Sequence, residues 1–108
     1  MEKIWFTITG TNYRHGTEFM EPGMEVALKK EQDNEHDTEA IRVDMEGLGQ
    51  VGYVANSTRT RIGESWSAGR IYDKIGDTAK GKIKYVLSDG VLCELVQEQP
   101  SDDLPQEA

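Results

Sequence analysis

Residues 31–43 read EQDNEHDTEAIRV, a run of acids, amides and one histidine that passes straight into alternating apolar positions. Three side chains in it, Asn34, His36 and Asp37, could do chemistry. His36 with Asp37 could act as an acid and base, but neighbours on an extended backbone point to opposite sides. No nucleophile elbow, P-loop or metalloprotease motif accompanies them, so no catalytic residues are expected. A metal would have to draw on His15, His36, Asp37 and Cys93, and two histidines without paired spacing do not make a ligand set. Neither a metal nor any other cofactor is expected. Two readings remain open: a turn shaped by Asn and Asp bonding to nearby amides, or the wall of a small binding pocket.

In the pocket reading, Asp37 is an acceptor for a hydroxyl donor, and the rings of His36 and Tyr13 are flat surfaces for a planar group. Lys29, Lys30, Arg14, Arg59 and Arg61 are the candidates for phosphate contacts. Tyr53 has the alternative of rim packing with a satisfied hydroxyl, and Trp5 and Trp66 are expected in the core.

The elements that must position these groups follow from periodicity. Ile4, Phe6 and Ile8 alternate in a first strand over 3–9, and a glycine- and proline-punctuated loop fills 11–23. Residues 24–31 and 40–45 alternate again, around Met24, Val26, Leu28 and then Ile41, Val43, Met45, so the loop 31–40 should join two half-buried strands. A turn at 46–49 leads to a fourth strand, 50–54, whose Gly52 predicts a bulge or a close backbone approach. Asn56, Ser57 and Thr58 can cap a helix, with Ile62, Ser65, Trp66 and Gly69 following at helical spacing, so a helix interrupted near Gly63 or ended by Gly69 is expected, with a further short turn at IYDKI. Residues 82–96 form a hairpin with Asp89 and Gly90 at a two-residue turn, which sets Leu87 opposite Leu92, Val86 opposite Cys93 and Ile83 opposite Val96. The expected fold is β-rich, mainly β with one or two short helices, a small partly open barrel like an oligonucleotide-binding (OB) fold.

The 108 residues suit one domain, here 1–97, followed by a tail, 98–108. The formal net charge is -8, and Glu98, Asp102, Asp103 and Glu107, with no basic residue near them, supply four of those charges. With its prolines, the tail has the composition of a disordered segment. Residues 52–97 instead hold seven Lys and Arg against five acids, so a polyanion would approach that half. No apolar run reaches the roughly 18 residues of a membrane span, and MEKIWFTITG lacks a signal-peptide pattern. The expectation is a cytoplasmic protein without membrane contact, in which the lone Cys93, set in VLCELV, is a buried small hydrophobe.

The segments GTNYRHG (10–16), EVALKKEQDNEHDTEAIRV (25–43) and GQVGYV (49–54) together resemble the HIRAN domain family. The most specific piece is Asn34, His36 and Asp37 followed by Ala40, Ile41 and Val43, with Gly10, Thr11 and Tyr13 upstream and the Val-Gly-Tyr-Val of 51–54 downstream. The resemblance implies an OB-like barrel, a setting in DNA repair and capture of the 3′-hydroxyl end of single-stranded DNA. It places Tyr13 near the bound end and Asn34, His36 and Asp37 in the pocket loop, with His36 where other members carry a base-stacking tyrosine. Asn12 stands where DNA-binding members have a basic residue, and Ala55, Asn56 and Ser57 replace their lysines. The expected partner is therefore a single-stranded nucleic-acid end, with a protein-interaction module on the same fold as the alternative.

Overall fold

The computed structural model describes residues 3–14, 16–88 and 90–96, with Tyr13 through its backbone alone. Six strands form the fold: β1 (Trp5–Thr9), β2 (Glu25–Lys30), β3 (Ile41–Met45), β4 (Gly49–Val54), β5 (Thr78–Leu87) and β6 (Gly90–Val96). One short helix, α1 (Ala68–Tyr72), and a 3₁₀ turn at Thr11–Tyr13 complete it. All pairings are antiparallel in the order β1-β4-β3-β2-β5-β6, and β6 returns to β1, so the barrel closes. The expected β-rich, OB-like barrel is thus present, with its ring complete.

Alternation does the sorting. Phe6, Ile8, Val26, Leu28, Ile41, Val43, Ile83, Val91 and Cys93 are all buried and turn their side chains inward. Closure rests on a narrow contact: β1 meets β4 through two residue pairs, Ile8 with Val54 and Thr9 with Tyr53, extended by the Ala55 N–H donating to the Thr7 carbonyl at 2.8 Å. Glycine makes that approach possible: a Cβ on Gly52 would lie 2.6 Å from the Thr9 carbonyl oxygen and 2.8 Å from Ile8 Cγ2. Opposite it, the β3–β4 register shifts at Val43/Asp44, so Gly52 marks both a close approach and an adjacent bulge.

Three expectations are corrected. The segment after Ala55 is not a helix up to Gly69; α1 begins at Ala68, capped by Ser67 Oγ, which accepts the Arg70 N–H at 3.2 Å. Residues 57–66 instead cover the outside of β1. Arg61 N–H closes one turn on the Ser57 carbonyl at 3.0 Å, Gly63 breaks it at φ +56°, and the Trp66 N–H reaches the Trp5 carbonyl at 2.7 Å. Thr7 anchors this cover, its hydroxyl bonded to Ser65 Oγ at 2.9 Å and accepting the Ile62 N–H at 3.0 Å. Tertiary bonding to β1 thereby outweighs local helical spacing.

The hairpin register also differs. Leu87 pairs with Gly90, Val86 with Val91 and Tyr85 with Leu92, then a shift at Ile83/Tyr85 sets Ile83 opposite Cys93. The expected register would have put Ile83 and Cys93 on opposite faces, whereas both are fully buried here. Asp89, assigned to the turn, lies outside the described residues. Finally, Trp66 is buried as expected but Trp5 turns outward, half-buried, and stacks on Tyr85 with centroids 6.5 Å apart. The tail 98–108 lies outside the described residues, and no helix among the described ones is long and apolar enough to cross a membrane.

Candidate functional site

The loop 31–40 leaves β2 and enters β3, closed at its base by the Glu31 N–H donating to the Ala40 carbonyl at 2.9 Å. Inside it Asn34 Oδ1 accepts two backbone N–H groups, from His36 at 2.8 Å and Asp37 at 3.0 Å. This is the local turn that Asn favours, built from bonds two and three residues along the chain. Asn34 Nδ2 donates to Glu31 Oε1 at 3.0 Å, so the whole Asn34 side chain is used within the loop.

Asp37 is half-buried and held unevenly. Its Oδ1 accepts the Glu39 N–H at 2.9 Å, while its Oδ2 meets, among the described residues, only a 3.4 Å contact from Asn56 Nδ2. His36 stands beside it, exposed. The geometry therefore offers a carboxylate fixed through one oxygen and an adjacent ring open to a ligand.

Glu31 organises the floor. Besides Asn34, its Oε1 accepts the Tyr53 hydroxyl at 2.8 Å, and Arg42 lies 3.9 Å from its Oε2. Arg42 Nε bonds Asp44 at 2.8 Å, and that hydrogen bond raises the guanidinium's pKa further, so the group stays charged. Asn56 ties the loop to the start of α1: its amide lies 3.4 Å from Glu39 Oε1 as well as from Asp37, and its Oδ1 accepts the Gly69 N–H at 2.9 Å. A Cβ on Gly69 would meet the Glu39 carboxylate, the movable end of an exposed side chain.

Asn34, His36 and Asp37 thus share one turn, and Tyr53 reaches it through Glu31. Tyr13 sits in the 3₁₀ turn that follows β1, with its side chain outside the described residues, as is all of His15. Arg14 and Arg59 are exposed, and the Arg59 N–H bonds Ser57 Oγ at 3.0 Å. Arg61 points into the cover over β1, where Nη1 donates to the Ser65 carbonyl at 2.7 Å and Nε is buried without a partner among the described residues. Lys30 is also engaged, donating to the Ile75 carbonyl at 3.0 Å with its ammonium 4.2 Å from the Tyr72 ring centre. Lys29 is exposed, at the edge of a shallow depression it shares with Lys30, Gln32, Asp33, Asp77 and Thr78.

Glu31, Arg42 and Asn56 are the positions of the candidate site that sequence reasoning missed. Asn56 was assignable to a helix cap; its partners lie 13, 17 and 19 residues away, where no local spacing points to them. Cys93 faces the barrel interior on β6, and among the described residues no three His, Cys, Asp or Glu side chains converge to hold a metal.

A comparison with curated protein sequences returns no match. Two solved structures are similar in fold. The HIRAN domain of human HLTF shares 18% identity and superposes with a TM-score of 0.61, covering 86% of this chain and 72% of that one. A protein from Lactobacillus plantarum shares 19% identity at a TM-score of 0.55, covering 89% of this chain and 98% of that one. The family model of the HIRAN domain matches residues 1–95, which include the barrel and the loop 31–40. The resemblance carried by GTNYRHG, the Asn34–His36–Asp37 turn and GQVGYV is accordingly one of kinship: this chain belongs to the HIRAN domain family.

Proposed function

We propose that this domain is a nucleic-acid-binding module without catalytic activity of its own, and that it captures the 3′-hydroxyl end of single-stranded DNA at the loop 31–40. The observation that carries the reading is the uneven hold on Asp37: Oδ1 is fixed by the Glu39 amide, while among the described residues Oδ2 has only the long Asn56 contact. A terminal hydroxyl donates to that second oxygen, His36 stacks on the last base, and the carboxylate repels a continuing phosphate. Family membership supports the same reading. Tyr13 and Arg14, on the turn after β1, and Arg59 are the further contacts in this proposal; Tyr53 acts through Glu31, and Arg61 through the cover over β1.

The experiment is fluorescence anisotropy with short single strands ending in a 3′-hydroxyl or a 3′-phosphate. Preference for the hydroxyl, lost in Asp37→Ala and reduced in His36→Ala, is the expected result. Equal binding to both ends, unmoved by the two substitutions, removes end capture. The acidity of the loop, with Glu31, Asp33, Glu35, Asp37 and Glu39 inside nine residues, favours the second reading, a protein-interaction module for a basic partner. Absence of strand binding together with capture of a polylysine peptide would select it.

A further inference from the structure

The outer surface of β5 carries Lys80 and Lys82, both exposed, with Lys84 at the bulge beyond them. At one end of this row Lys29 lies opposite Thr78, beside the depression that adjoins the loop 31–40. At the other end Trp5 and Tyr85 stack at an interplanar angle of 23°, and Tyr85 is 56% exposed. The bulge at Ile83/Tyr85 produces this arrangement, because the extra residue carries Lys84 while Tyr85 regains the outward face opposite Leu92. Two carboxylates share the surface: Glu94, 3.5 Å from Lys84, and Glu25, opposite Lys82. With Lys30, Asp33 and Asp77 of the depression included, five lysines stand against four carboxylates, a net charge of +1 here in a chain of net charge -8.

Spaced cations that lead to an exposed aromatic platform match a single strand, whose phosphates and base faces alternate in need of both. A folded acidic protein would use the cations but leave the ring pair idle. Seven residue-to-residue steps of β5 lead from Thr78 to Tyr85, a run of about 23 Å, which suits the several nucleotides that such barrels bind.

We propose that the outer face of β5 is the path of the single strand leading away from the loop 31–40: Lys29, Lys80, Lys82 and Lys84 meet its phosphates, and Trp5 with Tyr85 stacks on a base. The proposal deepens the nucleic-acid reading and rests on it, but it does not require that the strand's end be captured.

Its test uses 5′-labelled oligothymidylates of about four and about twelve nucleotides, lengths chosen to bracket the site sizes of such folds at the low end. The longer strand binds more tightly, and the double variant Lys80→Gln/Lys82→Gln removes the gain while leaving the short strand's affinity and its preference between 3′-hydroxyl and 3′-phosphate unchanged. The salt slope for the long strand falls by about 1.4, since each single-strand phosphate contact contributes about 0.7. Tyr85→Thr weakens the long strand roughly five- to hundredfold, and Trp5→Phe abolishes the quenching of tryptophan fluorescence that the long strand causes. If the ends bind equally but the lysine dependence holds, end capture fails and the path stands. Long-strand affinity and slope unmoved by the double variant overturn the path whatever the ends do. So does displacement of the strand by polyglutamate with equal loss of binding in the lysine variant, which would make the face a site for acidic protein. Circular dichroism of each variant checks that the barrel persists.

Discussion

At the scale of single residues the loop depends on Asn34 more than on the groups expected to touch ligand. One oxygen of Asn34 satisfies two amides and its nitrogen holds Glu31. Asn34→Ala should therefore destabilise the domain by about 1–2 kcal/mol in urea unfolding, and it should blur any discrimination made by Asp37. Asn34→Asp keeps the acceptor but sets a like charge against Glu31, so it should recover only part of that loss. This turn was legible in the sequence because its bonds are local. The floor beneath it was not: Tyr53 and Glu31 stand 22 residues apart and meet only because β2, β3 and β4 are neighbours.

Among the elements, the strands could be read from their period-two pattern, which burial on one face imposes directly. The stretch 56–66 could not, because its fate is decided by what β1 offers. Thr7 and the Trp5 carbonyl present bonding groups on the outside of the barrel, and the chain folds over them instead of continuing a helix. The hairpin erred for a related reason: an Asp-Gly pair is a strong turn signal, yet register follows the burial of Ile83 and Cys93. The contact between β1 and β4 gives a sharper prediction. Gly52→Ala drives a methyl group into the Thr9 carbonyl, which is backbone and cannot rotate away. A loss of about 1–3 kcal/mol is expected, measured by thermal or urea denaturation, against near-neutral behaviour for Gly76→Ala, where a Cβ meets nothing within 4 Å.

For the whole molecule, Cys93 reports on the barrel's integrity. Burial pushes its thiol up to about 12 from an ordinary value of 9.0. The folded state holds the proton more tightly than the unfolded chain, so this contribution to stability is fully present below pH 9 and is lost as pH rises toward about 12. Across that window the native protein should lose about 1.4 kcal/mol per pH unit relative to Cys93→Ala, measured as the difference between the two urea midpoints at each pH. The narrow seam between β1 and β4 has a dynamic counterpart. The 3₁₀ turn bearing Tyr13 follows β1, whereas His36 and Asp37 belong to the β2–β3 side, so the two parts of the candidate site lie across the seam from each other. Parting of those two residue pairs and of the Ala55–Thr7 bond beside them would dismantle the site while β2, β3, β5 and β6 remain zipped. In amide exchange, Thr9 and Tyr53 should then open well before the β5–β6 hairpin. A strand bridging both sides would act as a clasp, slowing exchange at those two positions more than anywhere else in the barrel.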